Sequence, residues 1–271
     1  MNSVSLFVVG VFLATSLVAG VAEAGDFVLS GNQHLNVTTA YANGVLYDSS
    51  TADVLAGGSI FHAYANDCSV LSVASGGVSY LDAYDTSAAN ISGGDVGYLN
   101  AYNTGVVNIS GGNVSSIFAY NTSVANMSGG GVGDLGADGT GVVNASGGTV
   151  SRMIARYGGV ANMSGGSVSN LVARFGGAAN ISGGSLGDLA AYETSSATFY
   201  GYDFRAFGGL SLDGQRVVGL TGILTGKWCD GTPWVTTISW HGSEAIMRVV
   251  PEPSSVLALL LAVGGAGAAA R

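Results

Sequence analysis

Apolar residues in the middle of the chain recur in columns 18 positions apart. Val78, Val96, Val114, Val132, Val150, Val168 and Leu186 form one column, and Leu81, Leu99, Ile117, Leu135, Met153, Leu171 and Leu189 a second. Two positions further on every unit has alanine: Ala83, Ala101, Ala119, Ala137, Ala155, Ala173 and Ala191. The other half of the unit carries Ile91, Ile109, Met127, Ala145, Met163, Ile181 and Phe199. Within each half, apolar and polar positions alternate with a period of two, which is the period of a strand and not of a helix. Gly-Gly separates the halves on one side, and Asn-Thr-Ser or a second Gly-Gly on the other; these are turn-forming residues. Each unit therefore reads as two short strands and two tight turns.

A unit this small cannot bury an apolar face alone, so the copies must stack. The pattern predicts an all-β fold, a single-stranded parallel β-solenoid of 18-residue coils over residues 50–198, each coil bonded to the next at ~4.8 Å. Its crossovers are expected to be right-handed. The constant alanine column implies a thin part of the core, and the leucine and isoleucine columns a wider one. An irregular copy, one residue short, precedes the regular ones at Leu71 to Ser87, and Ala56 to Tyr64 reads as an earlier one. Residues 199–249 break the period and carry Trp228, Trp234 and Trp240. The turn Asp230-Gly231-Thr232-Pro233 and the alternating stretches from Trp234 to Trp240 and Ala245 to Val249 predict antiparallel strands, a β-rich C-terminal cap. Residues 25–49 are expected to cap the other end.

Asn90, Asn108, Asn126, Asn144, Asn162 and Asn180 also recur at the repeat spacing, each within Asn-x-Ser. Such triplets are N-glycosylation acceptors in a eukaryotic secreted protein. The repeat explains them without sugar, because stacked asparagines bond along the axis as amide ladders do in other parallel stacks.

Two outward columns bear on function. The residue after the constant alanine runs Tyr84, Tyr102, Tyr120, Asp138, Arg156, Arg174, Tyr192, and Tyr64 and Tyr41 follow alanine in the earlier copies. Four positions before it stand Tyr80, Tyr98, Ser116, Asp134, Arg152, Asn170 and Asp188. Tyr64, Tyr84, Tyr102, Tyr120 and Tyr192 are candidate glycan-binding residues, since aromatic rings repeated along a solenoid suit an extended polysaccharide. The alternative is that like residues stack on neighbouring coils and only stabilise the sheet. Asp134 with Arg152, and Asp138 with Arg156, are expected to form ion pairs between coils. Solenoids also host polysaccharide lyases and hydrolases, whose carboxylates need a cleft. These units have no insertion long enough to wall one, so a noncatalytic protein is the expectation and those four residues are the only cluster open to a catalytic reading.

Composition narrows the choice. The chain of 271 residues has 45 glycines, 3 prolines, 9% charged residues and a net charge of −9. All basic residues stand at Arg152 or later, so the preceding segment is purely acidic and argues against nucleic-acid binding. Hydrophobic residues make up 48%, too many for a disordered chain. His34, His62 and His241 lack metal-ligand spacing, Cys68 and Cys229 form no CxxC pair, and no motif calls for a cofactor. The two cysteines are expected not to bond to each other, because several coils lie between them.

The ends carry an address. Residues 4–20 are almost wholly apolar and Ala22-Glu23-Ala24 before Gly25 has the small-x-small form that signal peptidase accepts, so 1–24 reads as a signal peptide. At the other end Val250-Pro251-Glu252-Pro253-Ser254-Ser255 precedes fifteen mostly apolar residues and Arg271. This stretch, 250–271, resembles the PEP-CTERM sorting signal of Gram-negative bacteria, in which Pro-Glu-Pro, a short hydrophobic segment and a basic end are recognised by an integral-membrane exosortase. The segment from Val256 to Ala270 is shorter than the ~20 residues of a permanent span, so it fits a transient membrane anchor. The repeats themselves are similar to the short Ser-Gly-Gly units of autotransporter adhesins. Together these resemblances imply an exported protein of the cell surface or extracellular matrix, with exosortase and signal peptidase as processing partners and exopolysaccharide as a candidate ligand. A polysaccharide lyase or hydrolase is the alternative.

Overall fold

The computed structural model describes residues 24–241 and 245–251. Among them all regular structure is β, arranged as a parallel solenoid of about ten turns. Each regular coil has a long and a short strand, such as Asp95–Ala101 and Val106–Ile109. Long strands pair with long and short with short, in parallel and 18 residues apart: Leu99 registers with Ile117 and Asn108 with Asn126. From Val160 onward the turn between short and long strand is absorbed, and one strand runs Val160–Arg174.

The columns expected to point inward do so. Leu81, Leu99, Ile117, Leu135, Met153, Leu171 and Leu189 are wholly buried, as is every member of the alanine column. The alternation has one phase change. In Gly77–Ala83 the buried residues are Val78, Leu81 and Ala83, and Ser79 and Tyr80 both face outward. Ser79 and its equivalents drop out of the pairing register, so the long strand bends there and re-aims the three outward positions that follow. The Gly-Gly turn has a steric cause: a Cβ on Gly111 would collide with the carbonyl oxygen of Ser92 one coil below, and Gly112 has φ +73°.

Hydrogen-bonded ladders run along the axis. Asn108 Nδ2 donates to Asn90 Oδ1 at 3.0 Å, and the pattern continues through Asn126, Asn144, Asn162 and Asn180 at 2.8–3.1 Å. The asparagine column is thus a ladder, as its spacing predicts. At the opposite turn, Thr86, Thr104, Thr122 and Thr140 each donate at 2.7 Å to a carbonyl of the coil below.

Both ends differ from the expected caps. Residues 25–49 are no separate cap; Gly25–Leu29 pairs in parallel with Ala40–Leu46, and His34–Val37 with Thr51–Val54. These coils carry register steps of 17 and 19 (Val28 with Val45, Val45 with Tyr64), so they belong to the solenoid while escaping an 18-residue pattern. At the C-terminal end Ser196–Phe207 leaves the stack, and an antiparallel excursion follows through the hairpin Ser211–Asp213 and Arg216–Val218 and the strand Thr221–Lys227. The chain then returns. Pro233–His241 and Ile246–Pro251, read from sequence as antiparallel cap strands, pair in parallel with the last coil: Leu189 with Ile238, Ala197 with Met247, Phe199 with Val249. They complete one more rung and extend the same buried columns. The correction has a simple cause, since Pro233–His241 is antiparallel only to Thr221–Lys227 on its other edge. Phe199 is covered by Trp234 at 5.1 Å, which stacks in turn on Trp228 at 4.7 Å.

Candidate functional site

The long strands present three parallel outward columns. Register places His62, Tyr80, Tyr98, Ser116, Asp134, Arg152, Asn170 and Asp188 in the first, and Tyr84, Tyr102, Tyr120, Asp138, Arg156 and Arg174 in the third. Between them runs a column that sequence reasoning did not single out: Tyr64, Asp82, Asn100, Phe118, Gly136, Ile154, Val172 and Ala190. Its signal was present in the alternation, because residues midway between the buried leucine and alanine must face outward.

The earlier coils form an aromatic surface. Tyr84, Tyr102 and Tyr120 stack at 4.8 and 5.0 Å with their planes within 10° of parallel, and Tyr80 stacks on Tyr98 at 5.3 Å. Stacked rings cover each other's faces, so what they show to solvent is ring edges and a row of phenolic hydroxyls. Burial within the stack raises the pKa of Tyr84, Tyr102 and Tyr120, with the Asp82 carboxylate adding to it; Tyr102 is pushed up to about 12. These hydroxyls are therefore neutral hydrogen-bond donors throughout the physiological range. Tyr192 occupies the same column beyond Asp138, Arg156 and Arg174. Tyr64 does not belong to it, because it registers with Asp82, two positions away. Tyr41 registers with Ile60 in the inner Val78 column and packs edge-on against Phe27. Aligning the early copies on Ala40 and Ala63 misplaced both tyrosines, since Ala65 and not Ala63 registers with Ala83, and Tyr41 falls on Ile60.

The later coils are charged. Arg152 grips Asp134 with two bonds, Nε to Oδ1 at 2.9 Å and Nη2 to Oδ2 at 2.6 Å, and this contact raises the pKa of Arg152. Arg156 donates through Nε to Asp138 Oδ2 at 2.8 Å. Both pairs join adjacent coils, as their spacing predicts. Each carboxylate of the four-residue cluster is thus committed to a guanidinium. The outward-facing Ile154, which lines the same cavity as Arg152 and Arg156, is left only 6% exposed.

A shallow cavity of about 390 Å³ lies among Phe118, Ile154, Val172, Arg156, Arg174, Phe175 and Glu193. Phe118 leans into the space over Gly136, where a Cβ would strike its ring, and Arg156 lies 5.3 Å from that ring. Beside it, Tyr157 and Phe175 stack at 5.0 Å with planes 4° apart. Sequence reasoning singled out neither; Gly-Gly follows each.

Among the described residues no group of three His, Cys, Asp or Glu is placed to hold a metal ion. Cys68 and Cys229 are free and exposed, on a solenoid turn and in the Trp228 turn respectively. Of the sorting-signal residues, Val250 and Pro251 end the last strand, paired with Tyr200 and Gly201. Glu252, Pro253, Ser254 and Arg271 lie outside the described residues, as do 1–23. Compared with protein-family models, with curated proteins and with solved structures, the chain matches none.

Proposed function

We propose that this protein is an exported, noncatalytic structural or adhesive component of the cell surface or exopolysaccharide matrix of a Gram-negative bacterium, released by signal peptidase and sorted by an exosortase. The observation that carries the proposal is the uninterrupted outer face. Coil follows coil through turns of three or four residues, and the face presents columns of aromatic and then charged groups at strand spacing. Such a surface suits a linear polymer laid along the axis. The Pro-Glu-Pro tail and the apolar leader supply the cellular part of the proposal.

The test is to incubate the purified protein with exopolysaccharide of the producing organism. Retention on the polymer without new chain ends is the expected result. The appearance of reducing or unsaturated ends would replace the proposal with a polysaccharide lyase or hydrolase, and the Asp134, Asp138, Arg152, Arg156 cluster would then be the place to look.

A further inference from the structure

We infer that the groove between Arg156, Arg174 and the Tyr157–Phe175 pair binds an acidic sugar, with the acid group on the two guanidiniums and the sugar's apolar face on the aromatic rim. The inference rests on the matrix reading for its biological setting, and on three local observations for its chemistry.

The first is an orphaned donor. Arg174 Nε is buried and has no hydrogen-bond partner, and no carboxylate among the described residues lies within ion-pair distance of this arginine. Leaving a buried charged donor unpaired is costly, and a ligand carboxylate in the groove removes that cost. The second is a like-charge contact. Arg156 and Arg174 are direct neighbours in register, where the coil below pairs Asp138 with Arg156. Like charges opposite each other destabilise a sheet, and an anion between them reverses the sign. Arg156 contributes only Nε to Asp138, so its Nη groups are open to such an anion.

The third is backbone strain. The first turn residue of successive coils is left-handed, and it is Asp48, Asp67, Asp85, Asn103, Asn121 and then Gly139. Those residue types tolerate the conformation. The next three coils place Tyr157, Phe175 and Glu193 there, at φ 53°, 51° and 54°. Both rings are exposed, at 58% and 41%, and Arg174 lies 5.5 Å from the ring of Phe175. Bulky residues held in this region mark a site where something other than folding sets the choice. These departures fall on adjacent coils around one cavity, which Arg156, Arg174, Phe175 and Glu193 line and Tyr157 flanks through its stack on Phe175. Glu193, the one acidic residue on its rim, is held by a bond from the Phe175 amide to Oε2 at 3.2 Å.

Titration calorimetry of the full chain with a trimer of galacturonic acid and with a trimer of galactose tests the assignment. The acidic trimer is expected to bind saturably, and Arg174→Gln to weaken it tenfold or more, while Arg216→Gln in the distant hairpin leaves it unchanged. Phe175→Asn, which restores the turn residue of other coils, should weaken it without loss of fold; an unchanged or raised thermal midpoint in both groove variants verifies that. Equal binding of the neutral trimer, indifference to Arg174→Gln, no binding at all, or equally tight binding of inorganic phosphate overturns the inference. Retention on the native exopolysaccharide without binding of the acidic trimer would defeat this site and leave the matrix reading standing; the reverse result would do the opposite.

Discussion

Among single residues, the left-handed turn position shows how a repeat accommodates exceptions. Asp, Asn and Gly fill it in the early coils for a conformational reason, and a sequence reader recognises them as turn formers. Tyr157 and Phe175 at the same position are illegible, because the glycines that follow them already account for a turn. Tyr102 makes the opposite case: its place in the outward column was readable, and its chemistry depends on neighbours that only the stack supplies. Burial between Tyr84 and Tyr120, helped by Asp82, raises its pKa from 10.0 in a free phenol to about 12. Because the folded value is the higher one, Tyr102 contributes stability fully below pH 10 and loses it as pH rises from 10 to 12. Tyr102→Phe should therefore flatten the alkaline limb of stability against pH in that window. An alkaline limb of unchanged slope in urea titrations would show that the stack does not perturb this phenol.

At the scale of elements, strict spacing decided what could be read in advance. The buried columns, the asparagine ladder and the Asp–Arg pairs were legible because side chains at one repeat position must lie one above another in a parallel stack. Residues 25–49 escaped because steps of 17 and 19 scatter the columns, and Tyr64 went to the wrong one because Ala63 stood in for Ala65 as the partner of Ala83. The bend after Val78 escaped too, since two successive outward residues look like an ordinary break in alternation. The ladder offers a graded test. Asn126 bonds both Asn108 and Asn144, whereas Asn180, the last asparagine, bonds Asn162. At about 0.5–1.5 kcal/mol per bond, Asn126→Ala should cost roughly twice what Asn180→Ala does, about 1–3 kcal/mol in chemical denaturation. Equal losses would mean that the ladder is ornamental to a sheet held by its backbone.

For the molecule as a whole, the return of the chain to the stack joins the fold to its proposed destination. Sequence showed a loss of period after 198 but not the rejoining, because Thr236 bonds Gly187 across 49 positions and no repeat of that length exists to announce it. In a stack stabilised by neighbour contacts, a terminal rung protects the apolar columns beneath it. Here that rung ends at Pro251, the first residue of Pro-Glu-Pro, paired with Gly201. The Pro-Glu-Pro stretch of the proposed sorting signal thus starts on the last described residue of this rung. Replacing Pro251, Glu252 and Pro253 together by alanine should leave the unfolding transition of the solenoid within about 0.5 kcal/mol of the parent, since Pro251 is exposed and contributes nothing to the buried columns. Export across the inner membrane should also persist, because it depends on the leader, while C-terminal processing should stop. Mass spectrometry of the protein from the producing organism decides between the possibilities. Retention of the C-terminal segment in the variant and its loss in the parent is the expected result, whereas an identical mature C-terminus in both would refute the sorting proposal without touching the fold.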